Sequence, residues 1–135
     1  MARPQDLKYS PTHEWLRLEG ELGTVGITDF AVQELSDLVF VDLPAVGNAV
    51  TKDSRFGEIE STKTVSDLIS PVSGTVVEVN SGLADHLEVL SQSPFDRGWL
   101  IKVRLSKPSE AAQLLSAADY QAQVDAADHL SLIHI

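Results

Sequence analysis

One lysine in the chain is placed to do chemistry. The segment Gly57-Glu58-Ile59-Glu60-Ser61-Thr62-Lys63-Thr64-Val65-Ser66-Asp67 sets Lys63 between two β-prone runs, flanked by Thr62 and Thr64 and preceded by the carboxylates of Glu58 and Glu60. Of the five lysines in the chain, it is the only one in such a turn. A lysine in a surface turn is ordinarily a solvated charge. At a rigid tip it also offers a long stem ending in an amine that can be acylated. A cofactor joined there by an amide would sit on an extended tether that a modifying enzyme can reach. The amide would remove one positive charge and take the formal net charge from −10 to −11.

No other constellation competes. His13, His86, His129 and His134 include no pair at helical i, i+4 spacing and no His-Glu-x-x-His motif, so no metal site is expected. No serine sits in Gly-x-Ser-x-Gly, and a hydrolase built on His13 and a carboxylate would use parts that any soluble protein carries. Gly20, Gly23 and Gly26 lack the spacing of a dinucleotide-binding loop and read as hairpin punctuation. The absence of cysteine removes disulfides, thiolate metal sites and cysteine nucleophiles together, and fits a reducing compartment.

With 135 residues, 43% hydrophobic and 22% charged, the chain suits one globular domain with its own core. Twenty acidic against ten basic residues would repel a phosphate backbone, so no nucleic-acid partner is expected, whereas a basic protein face would be attracted. No apolar run reads as a signal peptide or membrane span. The expected setting is a bacterial cytoplasm or, for a mature organellar form, the mitochondrial matrix.

Short strands must position the lysine. His13 to Glu19 partly alternates polar and apolar residues, Gly20 turns the chain, and Glu21 to Ile27 returns it, which predicts a hairpin. Thr28 is placed to cap a short helix over Asp29 to Leu35. Asp37 to Leu43 is β-rich and stopped by Pro44. Phe56 to Ser61 and Val65 to Ile69 flank the lysine turn, and Thr75 to Val79 and Trp99 to Leu105 complete the set. So many short strands predict a mostly β fold, a small antiparallel sandwich or flattened barrel, with Trp15 and Trp99 as core aromatics. Pro44-Ala45-Val46-Gly47 and Pro71-Val72-Ser73-Gly74 are two similar turns, a faint internal echo on either side of Lys63. After Pro108, Glu110 to Leu115 is rich in helix formers, and Ser116-Ala117-Ala118-Asp119 has capping-box spacing for a second helix through Tyr120 and Val124. No flexible linker intervenes, so residues 1–128 read as one domain. Residues 129–135 form an apolar tail that either docks on the body or is foreign to it, and no function is assigned to it.

Glu60-Ser61-Thr62-Lys63-Thr64 resembles the Glu-Ser-Val-Lys-Ala lipoylation motif of glycine cleavage system H proteins. Thr12-His13-Glu14-Trp15, Val25-Gly26-Ile27-Thr28-Asp29-Phe30-Ala31 and Val39-Phe40-Val41-Asp42-Leu43-Pro44 look like further signatures of that family. Ser66-Asp67, Ser70-Pro71-Val72-Ser73-Gly74, Val77-Glu78-Val79-Asn80, Ser93-Pro94-Phe95 and Gly98-Trp99-Leu100 continue the pattern in order, so that the resemblance spans Tyr9 to Tyr120. It implies a lipoyl-domain-like barrel-sandwich hybrid of short antiparallel strands, with a short helix in the N-terminal half and helices near the C-terminus. It further implies a monomeric carrier without catalytic activity, bearing lipoate on Lys63 and independent of membranes. The implied partners are a pyridoxal-phosphate glycine decarboxylase that loads an aminomethyl group and a tetrahydrofolate-dependent aminomethyltransferase that takes its one-carbon unit. A flavin-dependent dihydrolipoyl dehydrogenase would reoxidise the dithiol, and a lipoate ligase or lipoyltransferase would attach the group.

By the same resemblance, Glu60 helps the lipoylating enzyme choose its target, and Gly47 and Gly74 match paired turn glycines that lipoyl domains place around their lysine. Thr12, His13, Glu14, Ile27 and Asp67 match a cleft that shelters the loaded arm, where carboxylates beside an amine are electrostatically sensible. Thr62 and Thr64 replace the usual Val and Ala, and both are small enough for the turn. Ser36 stands where the family commonly has Gly, and residues 84–91 depart most, lacking the usual Pro and Asn. A lipoyl domain of a 2-oxoacid dehydrogenase would carry Asp-Lys-Ala and a flexible linker, and a biotin carrier Met-Lys-Met; neither is present. An H-like protein that relays lipoate to other enzymes is the nearer rival.

Overall fold

The computed structural model describes residues 4–134, with side chains through Ala126. In chain order the elements are β1 (Lys8–Tyr9), β2 (Glu14–Glu19), β3 (Leu22–Ile27), α1 (Asp29–Leu35), β4 (Leu38–Asp42), β5 (Ala49–Val50), β6 (Arg55–Ser61), β7 (Val65–Ile69) and β8 (Gly74–Val79). A 3-10 turn over Ser81–Asp85, α2 (Glu88–Gln92), β9 (Ile101–Leu105), a second 3-10 segment over Pro108–Gln113 and α3 (Ala117–His134) follow. The strands make two antiparallel sheets, one of six strands in the order β1-β2-β3-β9-β8-β5 and one of three in the order β4-β6-β7. The expected sandwich of short antiparallel strands is therefore what forms, and its two sheets do not close on one another.

The hairpins follow from local sequence. Gly20, at φ +65, supplies the left-handed residue that turns β2 into β3, and the register runs unbroken from Glu19↔Leu22 to Glu14↔Ile27. Thr28 caps α1 as its position predicts, its hydroxyl accepting from the Ala31 N–H at 3.3 Å. Leu16, Val25, Ile59, Leu68, Val76 and Val103 are among the side chains that fill the main core, at most 1% exposed. A second cluster joins Leu7, Tyr9 and Trp15 to Tyr120 and Val124 of α3, with the Tyr9 and Tyr120 rings stacked 5.0 Å apart. Trp15 lies flat against the backbone of Gly26, where an added Cβ would come within 2.4 Å of the indole. Trp99 is less of a core residue than expected: it is half-buried, with the Lys102 ammonium 5.0 Å from its ring.

Other expectations are corrected. The helix foreseen over Glu110 to Leu115 is a 3-10 segment ending at Gln113, because Leu115 must extend to exchange backbone hydrogen bonds with Tyr9 at 2.9 and 2.7 Å. Two-residue strands β1 and β5 and the short helix α2 were not foreseen. The backbone of α3 continues through most of the apolar tail to His134, while the tail's side chains and Ile135 lie outside the described residues.

Candidate functional site

Lys63 is exposed at the connection between β6 and β7. Its neighbours fix the backbone there. The Ser61 hydroxyl accepts from the Lys63 N–H at 3.3 Å and the Thr64 N–H at 3.2 Å, and the Ser61 N–H donates to the Thr64 carbonyl at 2.8 Å. The Asp37 carbonyl, just before β4, accepts from the Thr62 N–H at 2.9 Å. The tip is thus held from both sides while the lysine side chain stays in solvent. Ser61 escaped the reading of the sequence, although a serine two residues before a turn's apex is a recurrent turn clamp. Glu60, three residues before the lysine, is half-buried and pairs across the sheet with Phe40 and Val65.

Beside this hairpin lies a cleft of about 260 Å³. Thr12, His13, Glu14, Ile27 and Asp67, scattered over 55 positions of sequence, all line it. Ile59, Ser66 and Leu68 contribute a wall from β6 and β7, so the hairpin that carries Lys63 also forms the cleft. Phe30 and Leu35 of α1 add apolar surface from the other side.

Glu14 dominates the cleft electrostatically. It is 2% exposed and starts β2 in the larger sheet. One carboxyl oxygen, Oε1, accepts from the Ser10 hydroxyl at 2.8 Å and from the Thr12 hydroxyl; Oε2 accepts from the Ile69 N–H of β7 at 3.1 Å. This carboxyl therefore ties the larger sheet to the free edge of the smaller one. Burial pushes its pKa up from 4.5 to about 7, outweighing the Thr12 and Ser10 hydroxyls and the Ile69 and Glu14 backbone amides that pull it down. Asp67 differs: its side chain is 62% exposed and accepts from Arg55 Nε at 3.1 Å, while Arg55 Nη2 donates to Glu58 at 2.5 Å. Ion pairing thus already engages the second expected cleft carboxylate.

His13 has a positive φ of 78° and packs against Phe30 with ring centroids 5.0 Å apart. Its Nδ1 lies 2.7 Å from the Tyr120 hydroxyl, which is also 2.7 Å from the Thr28 hydroxyl. The C-terminal helix thereby braces both the cleft rim and the cap of α1. Tyr120 was missed in this role because a contact across 107 residues leaves no trace in local spacing.

Gly47 and Gly74, on either side of Lys63 in sequence, lie together in the fold. Both serve the β5–β8 pairing of the six-stranded sheet, whereas Lys63 belongs to the three-stranded one. Gly47 needs its freedom at φ +96, and its N–H donates to the Val76 carbonyl at 2.8 Å. Gly74 needs space instead of turning: a Cβ there would lie 2.1 Å from the Arg104 carbonyl oxygen. Among the described residues no cluster of His, Asp and Glu could hold a metal ion.

The arrangement fits an acylated lysine. An exposed amine on a pinned backbone offers an attachment point, and the cleft walled by the same hairpin has apolar sides and a polar end.

The profile of the glycine cleavage H-protein family matches residues 7–127. The chain is 53% identical over 122 residues to a glycine cleavage system H protein of Cyanothece sp., covering 90% of this chain and 95% of that protein. It is 50% identical over 125 residues to the H protein of Geobacillus kaustophilus, covering 93% and 98%. The crystal structure of the H protein from Mycobacterium marinum superposes with a TM-score of 0.84 at 42% identity, over 91% of this chain and 99% of that one. Signature segments, fold and relatives agree, and the chain belongs to the glycine cleavage H-protein family, the lipoyl-carrying shuttles of glycine breakdown.

Proposed function

We propose that Lys63 carries lipoate as an amide and that the chain has no catalytic activity of its own. The observation that supports this best is the exposed Lys63 on a backbone clamped by Ser61 and Asp37, in the hairpin whose strands also wall the cleft. Amide formation joins Nζ to the acyl carbon of an activated lipoyl donor, the bond from that carbon to its leaving group breaks, and Nζ gives up protons to solvent. Once attached, lipoate would supply a disulfide that can be reductively loaded with an aminomethyl group at one sulfur.

The chain's own residues then hold and shield that load. Ile27, Phe30, Leu35, Ile59 and Leu68 offer apolar contact and exclude water. Burial raises the Glu14 pKa to about 7, so at neutral pH the carboxyl sits near its titration midpoint while the cleft lacks a cation, and it ionises when a cationic amine enters. Thr12 and His13 shape the rim around it, and Asp67 balances charge at the edge through Arg55. Glu60 guides the lipoylating enzyme, and Gly47 and Gly74 contribute through the β5–β8 pairing that supports the scaffold. The partners are the pyridoxal-phosphate decarboxylase, the tetrahydrofolate-dependent aminomethyltransferase, dihydrolipoyl dehydrogenase, and a lipoate ligase or lipoyltransferase. Among the described residues no helix is long and apolar enough to cross a membrane, and the relatives compared are bacterial, which supports a cytoplasmic setting.

The test is the mass of the intact protein and its peptides after treatment with lipoate ligase, lipoate and ATP. One lipoyl adduct on Lys63, absent in Lys63→Arg, is expected. An adduct elsewhere, or none on folded wild-type protein, would overturn the reading.

A further inference from the structure

We infer that the outer face of the β4-β6-β7 sheet is the docking surface for the enzyme that acylates Lys63, and that this enzyme meets it with an apolar patch rimmed by basic side chains. The inference rests on the reading of Lys63 as the acylated lysine. Among the described residues, the large exposed apolar side chains are Leu18, Val39, Phe40, Val46, Val65 and Val77. Val39, Phe40 and Val65 gather on this one small sheet, at 53%, 47% and 57% exposure.

The register explains their grouping. Phe40, Glu60 and Val65 stand in one cross-strand row, so their side chains share a face. The next residue in each strand gives the row Val41, Ile59 and Ser66, which turns inward. One step further, Asp42, Glu58 and Asp67 return to the outer face. The face therefore presents an apolar row interrupted by a carboxylate, then a row of three carboxylates. Arg55 offsets Glu58 and Asp67, leaving Asp42 and Glu60 without an ion pair among the described residues. Apolar side chains this exposed lose hydration when covered, and the excess negative charge selects a basic rim.

Reach identifies the occupant. An enzyme that forms the amide must bring its acyl donor to Nζ, at the end of one lysine stem. The apolar row ends its strands where β6 and β7 meet the lysine turn, within the footprint of any enzyme working at Nζ. Enzymes that act on the dithiol work at the far end of a much longer arm and need no contact with this row.

Steady-state acylation by lipoate ligase, with lipoate and ATP, should be measured for wild type, Phe40→Ser, Val65→Thr and Val77→Ser. Val77 lies on β8 of the other sheet and serves as the exposed apolar control. Thermal unfolding of each variant checks the fold, and Val65→Thr at an exposed position covers the case in which Phe40→Ser is destabilised. Phe40→Ser and Val65→Thr should raise KM by about tenfold at nearly constant kcat, with Val77→Ser unchanged. Each KM should also rise with ionic strength. Dihydrolipoyl dehydrogenase should reduce fully lipoylated Phe40→Ser as fast as wild type. Equal KM values for wild type and folded Phe40→Ser and Val65→Thr, with Lys63 labelled in each, would overturn the docking face alone. An equal loss in the dehydrogenase assay would also overturn it as a surface specific to acylation. Absence of label on wild-type Lys63 would overturn both readings.

Discussion

Burial of the Glu14 carboxyl reverses the usual effect of acid on a carboxylate. In the unfolded chain it titrates at its ordinary 4.5, whereas in the fold it keeps its proton to about pH 7. Between those values the folded state binds the proton more tightly, so this group's contribution to stability is full below 4.5 and is lost as pH rises through 7. Glutamine mimics the protonated acid: its oxygen can accept from Ile69 N–H and its amide can donate to the Ser10 and Thr12 hydroxyls. Relative to Glu14→Gln, the wild type should lose on the order of 3 kcal/mol across that window and no more above it. Urea midpoints of both proteins across the pH range check this; a flat difference would mean that the carboxyl is ionised throughout. The site's residues were legible to unequal degrees. Lys63 stood out from its turn alone, and the cleft residues came through resemblance to a family. Ser61 carried a local turn signal that went unread, whereas Phe30 and Tyr120 act through contacts distant in sequence that a single sequence does not display.

At the scale of elements, the link from α1 to β4 joins helix, lysine tip and sheet. Ser36 ends α1 at φ 69 and ψ −126, a conformation that suits glycine and strains a side chain. Replacing Ser36 by Gly should stabilise the protein by about 1 kcal/mol, after allowance for the extra freedom of Gly in the unfolded chain. A raised denaturant midpoint at unchanged slope is the expected result, and a lowered one would show that the serine side chain does structural work. The same link shows what local sequence can carry. Thr28, Asp29 and the apolar spacing defined α1 to the residue because capping is a local interaction. Strands β1 and β5 have two residues each and no periodicity; they exist only because Leu16, Trp15, Gly74 and Thr75 offer them partners. Helix-forming Glu110 was drawn instead into a clamp, its carboxylate accepting from the Ser73 N–H at 2.8 Å and hydroxyl at 3.0 Å.

The whole molecule carries a formal charge of −10. Long-range attraction to basic faces speeds encounter and fades with salt, since the screening length is about 8 Å at physiological ionic strength. Affinity for the proposed decarboxylase partner should fall about tenfold or more from low to high ionic strength, mainly through slower association. Surface-bound kinetics would show this, and salt-independent association would shift the weight to apolar contacts.

The clamped backbone at Lys63 also sets a distance scale. With Ser61 and Asp37 holding the tip, the freedom of an attached arm lies in its own torsions, and its end explores a volume centred on a fixed point. The strands of the same hairpin wall the cleft, so docking of an arm proposed for Lys63 would be intramolecular, at a local concentration that does not change with dilution. A partner enzyme must outbid that local concentration to draw the arm away. On the proposed reading, retention of such an arm would be a timer built from geometry, set by how tightly the cleft holds it and cleared only when a competing site is near.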